Sequence, residues 1–181
     1  MAEIQAMTLT QLNSYVGEVL ESSFPEAVWV KAEISEFRVN GNGHAYLELI
    51  DKTGDVITAK SKAACWRNVV PSLMGKFFEA TGVELSSGIK VLLQCGVSFH
   101  PVFGLSLVVS DIDPSYTLGD MARQRQEIVN RLKEAGVFDL NRELPFPELP
   151  QRVAVISSAT AAGYGDFMNQ LHSSGYAFYT H

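Results

Sequence analysis

Val28-Trp29-Val30-Lys31-Ala32-Glu33-Ile34-Ser35-Glu36-Phe37 alternates apolar and polar side chains over most of its length. Successive side chains of a strand point to opposite faces. The alternation therefore predicts a strand that buries Val28, Val30, Ala32 and Ile34 and turns Trp29, Lys31, Glu33, Ser35 and Phe37 outward. Asn40-Gly41-Asn42-Gly43 follows, a turn built from residues that accept positive φ at little cost. His44 to Asp51 reads as a second strand with Ala45, Leu47 and Leu49 inward and His44, Tyr46 and Glu48 outward. Lys52-Thr53-Gly54-Asp55 turns into a third strand, about Val56 to Trp66. If Ala59, Ser61 and Ala63 face the core, then Val56, Thr58, Lys60, Lys62 and Trp66 face out.

Residues 8 to 21 carry Leu9, Leu12, Val16, Val19 and Leu20 at helical spacing, with Thr8 or Thr10 as the cap. Arg67 to Thr81 is helical in period, with Pro71 in its first turn. Gly88 opens a fourth strand to His100, and a fifth runs from Leu105 to about Ile112. Three strands, a helix and two strands is the element order of an OB-fold, a small Greek-key barrel that often binds oligonucleotides. Another small antiparallel barrel or sandwich with an inserted helix shares that order.

Beyond Asp113-Pro114-Ser115, Thr117 and Asp120 have the spacing of a capping box, and Leu118, Met121, Ile128 and Leu132 form an apolar stripe. Gly136 is a natural helix stop. Leu144 to Pro150 is a Pro-rich, extended connector. Val153-Ala154-Val155-Ile156 then reads as a buried parallel strand, Ser157 to Gly165 as a small-residue loop, and Asp166 to His172 as a helix. The expected organisation is mainly β: a five-stranded OB-fold barrel with an N-terminal helix over 1–116, a linker helix and connector over 117–151, and an incomplete strand–loop–helix α/β segment over 152–181. A lone βα unit cannot cover its own faces, so poor order is expected there.

The 181 residues are 46% hydrophobic and 19% charged, which excludes a disordered or low-complexity chain. Fourteen basic against twenty acidic residues give a net charge of −6, so bulk positive charge cannot hold a polyanion. Locally the balance reverses, because residues 28–76 hold seven basic against five acidic side chains. No apolar run is long enough for a membrane span, and the first twenty residues contain Glu3 and no base, unlike a secretory signal. The two cysteines, Cys65 and Cys95, lie far apart without metal-ligand spacing. These features predict a cytoplasmic protein.

Chemistry concentrates on the outward parity of the first three strands. Trp29, Phe37, Tyr46 and Trp66 supply flat rings, and Lys31, Lys60, Lys62 and Arg67 supply cations. Aromatic faces stack on bases of any identity while ammonium and guanidinium groups meet the backbone. The same pattern also describes a plain solvated face, or one that docks protein.

The blocks Val28 to Phe37 and Gly43-His44-Ala45-Tyr46 resemble the start of the exodeoxyribonuclease VII large subunit. So do Glu134-Ala135-Gly136-Val137-Phe138-Asp139, Leu144-Pro145 and Leu149-Pro150-Gln151-Arg152-Val153-Ala154-Val155-Ile156-Ser157-Ser158. The resemblance implies an N-terminal OB-fold that binds single-stranded DNA, a connecting helix and a nuclease domain. It implies a whole enzyme that degrades single-stranded DNA from both ends to oligonucleotides, partnered by small subunits held through regions further along. It also places a catalytic carboxylate at Asp166, for acid/base chemistry or for organising the attacking water, where the family often reads Thr-Gly-Ala-Ala-Ile-Arg-Asp. This chain has Thr160-Ala161-Ala162-Gly163-Tyr164-Gly165-Asp166, with Gly165 where a base is common. The family's other catalytic positions have no counterpart before His181, so this chain is expected to bind but not to cleave. No cofactor is expected; magnesium lacks a ligand spacing to support it. Ser157, Ser158 and Thr160 before a helix are candidates for holding a phosphate, or for simple capping.

Overall fold

The computed structural model describes residues 6–145, 147–148, 151–158 and 161–181. Two compact units divide the chain, one running to Ile128 and the other from Val129 to His181.

The first unit opens with α1 (Leu9–Ser23), capped by Thr8, whose hydroxyl accepts the Gln11 N–H while the Gln11 side chain accepts the Thr8 N–H. Five strands follow in the expected order around one helix: β1 (Val28–Val39), β2 (Ala45–Thr53), β3 (Val56–Cys65), α2 (Val70–Thr81), β4 (Lys90–His100) and β5 (Gly104–Asp113). They close into a barrel ordered β1-β2-β3-β5-β4, in which β3 and β5 run parallel and the other neighbours antiparallel. This is the OB-fold, and the sandwich alternative is excluded by the closure.

Ile34, Leu47, Leu49, Val91, Leu93, Val109 and Ile112 fill the barrel. Helix α2 adds Val70, Leu73 and Phe77 to the same cluster. Cys65 and Cys95 are free thiols within that core, both registered against Val109. Burial raises the Cys95 thiol to about 11, so it behaves there as a small hydrophobe.

Helix α3 (Pro114–Glu134) begins three residues before the expected cap. Thr117 is not a cap: its buried hydroxyl donates to the Lys90 carbonyl at 2.7 Å. Asp120, also buried, takes Lys90 at 3.5 Å, Gln124 at 2.6 Å and Arg123. Asp113 does the capping instead, accepting the Ser115 N–H at 2.9 Å. Thr117 and Asp120 thus fasten α3 to β4, which cap spacing alone does not reveal.

In the second unit α3 ends as expected: Gly136 sits at φ 67° with its N–H on the Lys133 carbonyl. A one-turn helix α4 (Leu140–Glu143) follows, then β6 (Arg152–Val153), α5 (Ala162–Ser173) and β7 (Tyr179–Thr180). Strands β6 and β7 pair in parallel. The expected parallel strand is present but short and not fully buried, since Ile156 is fully exposed. A two-stranded sheet with one helix leaves such a residue without a covering layer. No helix among the described residues is long and apolar enough to cross a membrane.

Candidate nucleic-acid interface

Strand β1 serves two neighbours. Residues 28–33 pair with β4, whereas residues 33–39 pair with β2. Between Ile34 and Glu36 the register shifts by one residue. Such a bulge reverses which face later side chains occupy. Phe37 therefore turns inward and packs against the core, correcting the expectation that it faces solvent. Arg38 takes its place outside, opposite Tyr46.

The outer surface across β1, β2 and β3 is then a set of cross-strand rows. Arg38, Tyr46 and Ala64 form one row; Glu36, Glu48 and Lys62 form the next. One step toward the β1–β2 turn, Trp66 meets His44 edge to face, with ring centroids 5.2 Å apart. The Arg67 N–H donates to His44 Nδ1 at 3.1 Å, fixing this corner. Gly43 makes the corner possible. It lies at φ 83°, and a Cβ there would stand 3.3 Å from the Arg67 Cβ. A substitution would meet both left-handed strain and crowding.

Tyr46 and Trp66 occupy diagonal positions across the β2–β3 pair, where side chains stand about 7–8 Å apart. Trp66 is 46% exposed and Tyr46 half-buried, so each keeps part of its ring open to solvent. A depression of about 280 Å³ beside Tyr46 is lined by Glu36, Arg38, Glu48 and Lys62. The face closes at Ile50, the next outward position of β2, which is buried.

Charges on this face are unevenly matched. Lys60 Nζ lies 2.8 Å from Glu48 Oε1, while Arg38 and Glu36 stand 4.0 Å apart. Lys62 and Arg67 form no ion pair among the described residues. The Lys60 ammonium and the Ser35 hydroxyl hold the Glu48 carboxyl below its ordinary 4.5. That carboxylate stays charged at neutral pH.

The structure thus gathers Tyr46, Lys60, Lys62, Trp66 and Arg67, and adds Arg38, His44 and Glu48. The Ser35-Glu36 pair was the available signal for Arg38, since two consecutive polar residues interrupt strict alternation. Trp29 and Lys31 stand elsewhere. Both face outward from the part of β1 that pairs with β4, opposite Gln94 and Leu92, and not on the three-strand face. Trp29 is 48% exposed, and the Lys31 ammonium lies 5.6 Å from the Tyr116 ring centroid. Lys31 stays close to the face, because it and Lys60 line one depression of about 110 Å³.

In the second unit Asp166 is exposed on α5, which starts earlier than expected. It forms no ion pair among the described residues. Ser157 Oγ donates to the Ser158 carbonyl at 3.4 Å. The N-cap of α5 is Ala161, without a side-chain bond, and its N–H donates to the Ser158 carbonyl at 3.0 Å. Thr160 lies outside the described residues. Among the described residues no three His, Cys, Asp or Glu side chains gather as a metal site would need.

Residues 7–113 match the family model described as OB-fold nucleic acid binding domain. An exodeoxyribonuclease 7 large subunit from Deinococcus radiodurans is 41% identical over 92% of this chain. One from Thioalkalivibrio sulfidiphilus is 32% identical over 91%. The chain spans only 41% and 34% of those two relatives' lengths. Among solved structures, the SSB domain of a Synechococcus sp. protein superposes at a TM-score of 0.33 with 15% identity. That superposition covers 48% of this chain and 92% of the other. The expected resemblance to the exodeoxyribonuclease VII large subunit therefore holds along nearly the whole sequence.

Proposed function

The chain belongs to the family of OB-fold nucleic acid binding domains, and from that premise we propose that it holds single-stranded DNA across β1, β2 and β3. One observation carries the reading: two partly exposed aromatic rings stand beside Lys62 and Arg67, which form no ion pair among the described residues. Bases stack on Tyr46 and Trp66 in any sequence, and Arg38, Lys62 and Arg67 meet the phosphates. Lys60 contributes less, because Glu48 already neutralises it. Lys31 extends the cationic margin toward Tyr116.

The relatives' printed name carries the proposal to the whole protein: exonucleolytic cleavage of DNA, with a small subunit as partner. Asp166 is the carboxylate of that reaction, for acid/base work or for organising the attacking water. Alone it cannot stabilise the charge that grows on a pentavalent phosphorus, so this chain binds strands without cutting them.

Fluorescence anisotropy with a labelled oligothymidylate over a salt series tests the binding. Affinity should fall linearly on logarithmic axes, with a slope of about −0.7 per phosphate neutralised. Lys62→Ala should weaken binding and flatten that slope by about one such contact. Salt-insensitive association, or capture of protein partners with no affinity for the oligonucleotide, would contradict the reading.

A further inference from the structure

We infer that Glu48 gives this face a preference among bases, favouring guanine and disfavouring thymine. The inference rests on the proposed strand-binding role of the β1–β2–β3 face and asks what a carboxylate is doing in the middle of it.

Glu48 follows Tyr46 on the outward parity of β2, about 7 Å further along the strand. It stands opposite Lys62 on one side and Glu36 on the other. A base stacked on Tyr46 lies flat, so its hydrogen-bonding edge projects sideways into the depression that Glu48 lines. The carboxylate is held in place from two directions. Lys60 takes Oε1 at 2.8 Å, and the Ser35 hydroxyl donates to Oε2 at 2.9 Å. Ionised carboxylates accept only, and two oxygens offer about four acceptor sites, so room remains for incoming donors.

A fixed negative charge repels phosphate and base carbonyls alike. What it rewards is a pair of adjacent N–H groups. Guanine presents N1–H and N2–H side by side, matching two carboxylate oxygens. Adenine and cytosine each offer one amino group beside a ring-nitrogen acceptor, which the carboxylate repels. Thymine offers a single N3–H flanked by two carbonyl oxygens, the poorest match. The Lys60 and Ser35 bonds keep Glu48 from turning away, so the preference is built into the sheet and not into a loop.

The experiment compares an oligothymidylate with an alternating dT-dG oligomer of equal length, titrated against the full chain and its Glu48→Gln variant. Alternation presents a guanine to Glu48 in every second register, so the strand reaches the favoured contact by shifting one nucleotide at most. The unaltered chain should bind the alternating oligomer about 5- to 150-fold more tightly, the range of one good bidentate base contact. Glu48→Gln should erase most of that ratio and tighten oligothymidylate binding, since a negative charge beside the phosphates is gone. Tight binding of both oligomers without discrimination would overturn the inference alone. So would a ratio that survives Glu48→Gln in a folded variant. Failure of the unaltered chain to bind either oligomer would overturn the strand-binding reading, and this inference with it.

Discussion

A chain carrying Tyr46→Ala together with Trp66→Ala is expected to bind a single-stranded oligonucleotide at least about 30-fold more weakly. Each base–aromatic stack contributes about 1–3 kcal/mol, so losing two costs about 2 kcal/mol or more, which is the stated factor. Neither ring belongs to the core cluster, so the barrel should remain folded, as circular dichroism would report. Trp66→Ala also removes the edge contact with His44. The single variants therefore separate the two stacks, and the Arg67–His44 bond should keep the corner in place. Trp29→Ala serves as the control. Its ring is about as exposed as that of Trp66, yet it stands on the β1–β4 side, and its loss should leave affinity within about twofold, a change of about 0.4 kcal/mol. Equal losses for Trp29 and Trp66 would mean that exposure alone, and not position on the sheet, governs binding.

The second large effect concerns the fold beneath that face. Phe77→Ala should destabilise the barrel by about 3–5 kcal/mol, the usual cost of emptying a fully buried phenylalanine site. Phe77 is completely buried where α2 meets the barrel core. Its removal leaves a cavity bounded by strands that cannot collapse without breaking their ladders. With a urea dependence of about 1–3 kcal/mol per molar, the unfolding midpoint should fall by more than about 1 M. Phe37→Ala provides the informative companion. Phe37 is half-buried against the same cluster, so it should lower stability while leaving the affinity of the folded fraction nearly intact. Loss of affinity at unchanged stability would restore Phe37 to the binding face and contradict the bulge.

That bulge marks where the sequence stops being a sufficient guide. From Val28 to Ile34 the alternation is set by burial alone, and the strand obeys it. The Asn-Gly turn, Pro71 in the first turn of α2, and Gly136 after α3 are local backbone requirements, so they are visible in single residues. One extra residue at Ser35-Glu36 is different. Its effect depends on pairing with β2, a partner strand that the local pattern does not contain. The split of β1 between β4 and β2, which parts Trp29 from Tyr46, is likewise a property of barrel closure. Thr117 and Asp120 illustrate a third limit. Their spacing fits a cap, but a strand carbonyl and the Lys90 ammonium compete for the same side chains and win. Strand β7 is two residues long and is defined only by its pairing with β6, so periodicity has nothing to detect.

Amide chemical-shift mapping of the isotope-labelled full chain, titrated with oligothymidylate, interrogates the proposed interface residue by residue. The largest movements should fall at Arg38, His44, Tyr46, Lys62 and Trp66, with α1 and the β4–β5 hairpin nearly still. Shifts gathered on α1 and the β4–β5 hairpin, with Tyr46 and Trp66 unmoved, would show that the strand lies on a different side of the barrel.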